Sequence, residues 1–370
     1  MSTKPSFLVL SKEKWNQPRR ARKQLLPEAL LNNGSVEEIL YVDPPRHLWQ
    51  QANVQGSMPK GMMSWQGKFL LPGERFSWVR KINRWYMSRE LQARMAHREQ
   101  WYTLFYHPWD VDLIGHLKKI GPVLFDWTED WSEFHQNEEM RLAQEQCIRS
   151  ATAVLTVTED LAQKASSLRG SSRDVLLLPN ATALPLLDES ASLSLPDEIA
   201  EIPEPRIGYA GHMGPWFNTD LLISLAIHQP DWHWLLVGYA NQDIAIRIHS
   251  LPNVHMVGEK PLSELQSYLA QCQILVAPYQ QNICGDASKL YDYMTIGRPI
   301  VSSDIETARR LGKCVKIAKT TEQWIQAISE GLSGEKHEDK VARREVILEC
   351  SWPVRAKTLS KWLASNGNIR

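Results

Sequence analysis

The sequence contains few cysteines, and their spacing excludes the common cysteine-based frameworks. The chain of 370 residues has five, at positions 147, 272, 284, 314 and 350. No two of them have the CxxC spacing of a zinc or redox motif, and an odd, scattered set gives no disulfide framework. We therefore expect reduced thiols in a cytoplasmic protein.

An excess of charge and long apolar runs are also lacking. The 42 basic residues balance 42 acidic ones, so the formal net charge is zero. Nucleic-acid-binding proteins usually carry a basic excess, so no nucleic-acid partner is expected. The first apolar run covers only residues 7–10, which is too short for a signal peptide, and no run approaches the ~20 residues of a membrane span.

What the sequence does have is an alternation of short apolar runs with amphipathic segments in both halves. Such an alternation predicts parallel, doubly wound sheets, and ligands bind beyond the carboxyl ends of their strands. We predict an α/β fold with two facing Rossmann-like domains, at 1–185 and 206–345, and a cleft between them. The Pro- and Ser-containing stretch 186–205 reads as a linker. The region 50–73 is irregular in pattern, with a hairpin expected at Gln66-Gly67.

Residues 284–302 combine a loop, a helix, a helix stop and a strand. Gly285, Asp286 and Ser288 have the short side chains typical of loops and helix caps, and Gly297 with Pro299 ends the helix. Ser288 and Lys289 fall in the first helical turn, where free N–H groups favour an anion. Asp292 lies one turn further along the same face. A phosphate-binding turn beside a carboxylate indicates a nucleotide, although a helix cap with a solvated lysine and a surface acid would give the same pattern.

The second half resembles the nucleotide-sugar-binding domain of a GT-B glycosyltransferase of the family 4 or group 1 type. The segments that carry this resemblance are 207–211, 230–238, 251–258 ("LPNVxxxG"), 288–301 ("KLYEYLAxGxPVV") and 351–355 ("SWexR"). The resemblance implies that a helix in 346–370 returns to the first domain. It also implies that no metal is needed and that the co-substrate is a UDP- or GDP-linked sugar.

The resemblance assigns roles to individual residues of this sequence. Ser288 and Lys289 would bind the diphosphate, and Lys289 would assist its departure; Asp292 would bind the ribose hydroxyls. Gly211, His212 and Asn282 are further candidates for contact with the donor, although a glycine turn, a surface histidine and a loop asparagine are as common.

One position departs from the family pattern. Many retaining members have an acid in the loop before this helix, where the present sequence has Cys284, with Asp286 two residues later. Without that acid, the sugar would have to be positioned by other groups. The departure also supports the alternative of a non-catalytic GT-B subunit that only binds a glycan or nucleotide.

The first half carries a weaker resemblance. Phe125-Asp126 followed by Asp130-Trp131 is similar to a segment of bacterial cell-surface polysaccharide enzymes, including the teichuronic-acid type. Asp130, with Asp126 and His107, is therefore a candidate to orient or deprotonate an acceptor hydroxyl. Helix capping and core packing are the alternative for Asp130, and His107 before Pro108 reads as structural.

Two basic segments suggest contact with an anionic membrane. These are the stretch with Lys12, Lys14, Arg19, Arg20, Arg22 and Lys23, and the helix with Arg80, Lys81, Arg84, Arg89, Arg94 and Arg98. Trp85 and Tyr86 would lie at the interface. A solvated basic face is the alternative.

Together these observations predict a cytoplasmic glycosyltransferase of the hexosyltransferase type, peripheral at the inner face of the membrane. It would move a sugar, with retention of configuration, from a nucleotide-diphosphate donor to a hydroxyl of a cell-surface glycan or lipid-linked acceptor. The alternatives are the non-catalytic subunit and a nucleotide-sugar epimerase of the same fold.

Overall fold

The computed structural model describes residues 4–17, 20–51, 58–97, 100–131, 137–188, 193–280 and 285–366. The chain forms two compact units. The first comprises the chain up to residue 179 together with the segment from 352 onward, and the second comprises residues 180–351. In the parts of the chain that the structure describes, no helix is both long and apolar enough to cross a bilayer.

The first unit is built on a seven-stranded parallel sheet. Its strands are β1 (Ser6–Leu10), β2 (Ile39–His47), β3 (Met62–Phe69), β4 (Trp101–Phe105), β5 (Val123–Trp127), β6 (Ala153–Thr156) and β7 (Val175–Leu177). Its helices are α1 (Arg22–Asn32), α2 (Ser77–Met95), α3 (Val111–Leu117), α4 (Glu138–Ser150) and α5 (Glu159–Arg169). The strand order is β3-β2-β1-β4-β5-β6-β7, so the chain changes direction across the sheet between β1 and β4.

The second unit has a six-stranded parallel sheet. Its strands are β8 (Arg206–Ala210), β9 (His233–Val237), β10 (Val254–Gly258), β11 (Ile274–Ala277), β12 (Ile300–Ser302) and β13 (Lys316–Ile317). Its helices are α6 (Thr219–His228), α7 (Gln242–Ile248), α8 (Leu262–Leu269), α9 (Ser288–Ile296), α10 (Glu306–Leu311), α11 (Thr321–Ser333) and α12 (His337–Leu348). The order β10-β9-β8-β11-β12-β13 places the change of direction between β8 and β11.

The two parallel sheets confirm the predicted fold class. They follow from continuous apolar strands that are buried on both faces, such as β1 and β8, because a parallel sheet is covered by helices on each side.

The hairpin predicted at Gln66-Gly67 is wrong. Both residues lie inside β3, which pairs in parallel with β2 from Ile39↔Met62 onward. Gly67 marks close packing instead of a turn, because a Cβ there would stand 3.3 Å from the Trp65 ring and 3.5 Å from the Met87 sulfur of α2.

The stretch expected to be a linker packs on the second unit wherever the structure describes it. The Leu187 N–H donates to the Thr295 carbonyl at 2.9 Å, and Ile199 and Ile202 are part of the second unit's core. The chain passes from the first unit to the second at 179–180.

The last helix, α13 (Trp352–Ser365), belongs to the first unit and packs against α1. Arg22 of α1 lies at this junction. Its guanidinium stands 5.9 Å from the Trp352 ring centroid and forms two hydrogen bonds, of 2.8 and 3.0 Å, with the Asp126 carboxylate at the end of β5. Arg22 and Asp126 are both buried, so each charge depends on the other for its compensation.

We expect Arg22→Met to lower the free energy of unfolding by about 3–5 kcal/mol, because the buried Asp126 carboxylate loses its partner. The double variant Arg22→Met/Asp126→Leu should be less destabilised than the sum of the two single variants. Denaturant unfolding measures both, with Arg173→Met at an exposed position of the same unit as control. Additive effects in the double variant would show that the pair does not hold α1 on the sheet.

Candidate functional site

The change of direction in the second sheet brings two strand ends together. Gly211 follows β8 directly, and Tyr279 follows β11, whose neighbour in the sheet is β8. In an open parallel sheet this is where ligands bind. The next helix after β11 is α9, and Lys289 in its first turn contacts Tyr209 of β8. The turn that was predicted to bind phosphate therefore lies at these strand ends.

Lys289 forms a group with Tyr209 and Tyr279, which we call the Lys289 group. Its ammonium nitrogen donates to the Tyr209 hydroxyl at 2.9 Å, and it stands 4.8 Å from the Tyr209 ring centroid and 5.0 Å from that of Tyr279. Two aromatic faces stabilise a cation without neutralising it. Lys289 is therefore a cation held in a fixed position at the strand ends.

Gly211 allows this arrangement. Its φ is +134°, and a Cβ there would stand 2.7 Å from the Lys289 ammonium nitrogen. The positive φ favours glycine, and a larger residue there would displace the Lys289 ammonium from its place. The group that lies closest to the Cβ position of Gly211 is therefore the Lys289 ammonium of the same chain.

His212 lies directly beside this group. Its Nε2 is 2.8 Å from the Asn241 side-chain oxygen, and its ring contacts those of Trp216 and Tyr239. Its carbonyl accepts from the Tyr209 hydroxyl at 3.0 Å. His212 is ordered by its neighbours and shares Tyr209 with Lys289.

A surface cavity of about 690 Å³ lies next to this group. Tyr279 and Ser303 line it at the ends of β11 and β12, and Asn218 and Thr321 line it from the helix starts. The Ser303 hydroxyl accepts from the Tyr279 N–H at 3.0 Å. Tyr279 thus lines the cavity and also contacts Lys289.

The start of α9 differs from the sequence expectation. Ser288 is its first residue and is exposed, but the capping residue is Ala287, and no side chain caps the helix. The Ala287 N–H donates to the Thr307 hydroxyl at 2.9 Å. The expected capping by short side chains of 285–288 is therefore wrong. Asn282 and Cys284 lie outside the described residues.

Asp286 has an internal role. Its carboxylate is fully buried, accepts from Thr307 at 2.8 Å and from the Tyr291 hydroxyl at 2.9 Å, and pairs with Arg310. It also accepts from the Asn180 N–H, at the point where the chain enters the unit. Burial raises the pKa of Tyr291, so its phenol stays protonated and donates. This carboxylate thus has its partners inside the unit, where it connects the start of α9 to α10.

Asp292 is half-buried, one turn into α9. Its Oδ1 accepts from the Thr182 hydroxyl at 2.7 Å. The Thr182 N–H donates in turn to the Cys350 carbonyl at 3.0 Å. Asp292 is therefore oriented by the segment that enters the second unit.

In the first unit, Asp126 is buried and His107 is half-buried. Asp126 is the partner of Arg22, and the His107 Nδ1 accepts from the Trp109 N–H at 3.1 Å as the cap of a short 3-10 turn. Burial lowers the pKa of His107 to about 4, so the ring is neutral at neutral pH. The expectation that Asp126 faces a ligand is wrong, because its charge is used inside the unit.

Asp130 belongs to a polar network that links the end of β5 to α4 and α5. It accepts from the Gln144 amide at 2.8 Å and pairs with Lys164 at 3.1 Å. The Gln144 oxygen accepts from the Trp127 indole and from the Trp131 N–H. These contacts match the packing alternative for Asp130, and its role toward an acceptor stays a prediction.

A further charged group lies at the change of direction in the first sheet and was missed from sequence. Asp110, after β4, is buried between Lys12, 3.1 Å away after β1, and Arg84 of α2 at 3.2 Å. Burial acts to raise the pKa of Asp110, but Lys12 and Arg84 outweigh it and lower the pKa. The three residues are far apart in sequence, and only the strand order brings them together.

Residues 204–333, which contain the Lys289 group, match the family model described as "Glycosyl transferases group 1". This part of the chain is similar to the group 1 glycosyltransferases. The match confirms the resemblance seen in the sequence. The teichuronic acid biosynthesis glycosyltransferase TuaH of Bacillus subtilis (strain 168) is 24% identical over 348 residues, which is 85% of either chain.

Similarity to solved structures confirms the GT-B fold of this chain. Sucrose-phosphate synthase from Thermosynechococcus elongatus superimposes with a TM-score of 0.72 at 15% identity, with 98% of each chain covered. HepE of Anabaena, in complex with UDP and glucose, gives 0.69 at 12% identity, with 98% of this chain and 100% of that one covered. A lipopolysaccharide outer core galactosyltransferase, WaaB, gives 0.67 at 12% identity, with coverage of 97% and 99%.

We expect Asp286→Asn to lower the free energy of unfolding by about 3 kcal/mol, because Arg310 would lose a buried counter-charge. Thermal or denaturant unfolding measures this, and Asp231→Asn, at an exposed position of the same unit, serves as control. An unchanged stability would show that Asp286 is not the internal anchor of the loop before α9.

Proposed function

We propose that the protein transfers a sugar from a nucleotide-diphosphate donor to a hydroxyl of a glycan or lipid-linked acceptor in polysaccharide biosynthesis. The observation that carries this proposal is the Lys289 ammonium, fixed over Gly211 at the strand ends of the domain that matches the glycosyltransferase family. Two similar proteins support the same choice, because TuaH is named as a teichuronic acid biosynthesis glycosyltransferase and HepE was solved in complex with UDP and glucose.

Lys289 would act on the leaving group. As the bond between the sugar's anomeric carbon and the diphosphate oxygen breaks, negative charge grows on the diphosphate. A cation already held in place stabilises that charge without reorganisation and without a metal. The N–H groups of the first turn of α9, at Ser288 and Lys289, would add to it.

Asp292 would hold the ribose. Its side chain is on α9, one turn beyond Ser288, and Thr182 orients it at 2.7 Å. A carboxylate is an acceptor for hydroxyl groups, and a fixed one selects a defined position of the nucleoside. His212 and Gly211 would bound the donor on the β8 side.

The acceptor oxygen would form the new bond to the anomeric carbon, and its proton would pass to the Asp130 carboxylate. We propose a retaining hexosyl transfer, as the family resemblance implies, with Asp130 as the acceptor-side carboxylate. The cytoplasmic location belongs to the same proposal.

We expect Lys289→Met to weaken binding of the nucleoside diphosphate by about 10- to 150-fold, as for loss of a charged hydrogen bond of about 1.5–3 kcal/mol. Sugar transfer should fall at least as much, because the charge grows during the reaction. Calorimetry with UDP and GDP, together with analysis of donor turnover, measures both. Lys313→Met, an exposed lysine of the same unit, is the control and should change neither.

The outcomes separate the alternatives. If Lys289→Met binds nucleotide and turns over donor as the wild type does, the donor assignment is wrong. Tight nucleotide binding by the wild type with no release of nucleoside diphosphate, across a panel of acceptors, would instead indicate a non-catalytic subunit. Conversion of the donor sugar to an isomer without an acceptor would indicate an epimerase.

The role of Asp130 has its own test. We expect Asp130→Asn to lower kcat about 100-fold or more if the carboxylate takes the acceptor proton, with the nucleotide affinity unchanged. Lys164→Met removes one of its partners without removing the carboxylate and is the control for packing. Equal loss of thermal stability in both variants, with kcat retained, would assign Asp130 to the packing network alone.

A further inference from the structure

The helix α2 packs apolar residues into the core of the first unit and also carries apolar residues on its outward side. Surface helices bury an apolar stripe and expose polar residues. Here Arg80, Asn83 and Arg84 are buried, whereas Trp78, Ile82 and Trp85 are 59%, 38% and 53% exposed. The three apolar residues are spaced by four and three positions and so form one stripe along the outward side.

The buried polar residues fix the rotation of the helix. Arg84 pairs with Glu74 and Asp110, each at 3.2 Å, and Arg80 pairs with Glu139. Asn83 donates to the Leu71 carbonyl and accepts from the Leu71 N–H, at 2.9 and 3.0 Å. Turning the tryptophans inward would break these pairs and leave charges buried without partners. The apolar stripe therefore stays on the surface.

Cations lie within the same outward face. Lys81 and Arg89 are exposed and fall between and beside the apolar residues. Just before the helix, Phe76 is 47% exposed with the Arg75 guanidinium 4.7 Å from its ring centroid. Along α2, all of which the structure describes, the arc with Trp78, Ile82 and Trp85 contains no Asp or Glu.

Four cations of the other basic segment are paired within the first unit. Lys12, Arg20, Arg22 and Lys23 pair with Asp110, Glu28, Asp126 and Glu13. Arg19 and Arg98 lie outside the described residues. The expectation that the basic residues as a group would contact lipid is thus replaced by one defined face of α2.

We infer that this face, made of Phe76, Trp78, Lys81, Ile82, Trp85 and Arg89, docks the protein on the surface of an anionic lipid bilayer. Tryptophan concentrates at the membrane interface, where its ring is apolar and its N–H remains hydrated. A helix with tryptophans on one side and interspersed cations lies in the interface plane, and anionic headgroups attract the cations. The inference does not need the sugar transfer, but a lipid-linked acceptor would be presented at the same surface.

The test is co-sedimentation of the full-length protein with vesicles, without donor or acceptor. We expect binding to vesicles of phosphatidylcholine with phosphatidylglycerol, and little binding to phosphatidylcholine alone. Trp78→Ser/Trp85→Ser should lower the partition coefficient roughly tenfold or more. Lys81→Gln/Arg89→Gln should also lower it and should reduce its sensitivity to salt.

Two controls keep the result interpretable. Ile227→Ser/Ile246→Ser removes two exposed apolar side chains, 62% and 68% exposed, from the second unit and should bind vesicles as the wild type does. Lys289→Met should also bind normally, so a wrong donor assignment leaves this test intact. Circular dichroism and thermal unfolding confirm that each variant is folded.

Equal binding to both vesicle types, or equal binding by wild type and Trp78→Ser/Trp85→Ser, would overturn the inference. A concentration-dependent dimer in ultracentrifugation that the tryptophan variant abolishes, with no vesicle binding by the wild type, would assign the face to a second copy of the chain instead.

Discussion

The second unit depends on one buried carboxylate. Asp286 gathers the Tyr291 hydroxyl from α9, Thr307 and Arg310 from α10, and the Asn180 N–H where the chain enters the unit. A buried charge is tolerated only when its surroundings supply such partners, so these elements are fixed relative to one another. The position of Lys289 follows from this, since it is three residues along from Asp286.

Much of the architecture could be predicted from the sequence. Continuous apolar runs such as 207–210 and 274–277 predict strands that are covered on both faces. The alternation of these runs with helices predicts a parallel sheet. The hairpin at Gln66-Gly67 was predicted wrongly because glycine occurs at positions of close packing as well as in turns. Lys289 and Gly211 could be identified singly, but Tyr209 and Tyr279 could not, because their approach to Lys289 depends on which strand ends are neighbours.

The charged residues show where sequence reasoning is weakest. Two stretches rich in lysine and arginine suggested basic surface segments, yet Arg22, Arg80 and Arg84 are buried and paired. Their partners are distant in the sequence, so no local pattern distinguishes an interior arginine from a solvated one. For the same reason, the sequence did not show that Asp126 is buried, and it did not distinguish a packing role of Asp130 from a role toward an acceptor. The exposed tryptophans of α2 follow from the same pairs. Because Arg80 and Arg84 are paired on the inward side of the helix, Trp78 and Trp85 lie on its outward side.

The last helix has a consequence for how the chain is made. Residues 180–351 form a unit that is complete before α13 has been synthesised, whereas the first unit needs Trp352–Ser365 to cover α1. Thr182 and Ser351 form a parallel bridge, so the chain enters and leaves the second unit at one place. The second unit is in effect an insertion within the first. On the ribosome, the half that is translated first is therefore finished last, and loss of the C-terminal helix would damage the amino-terminal half of the protein.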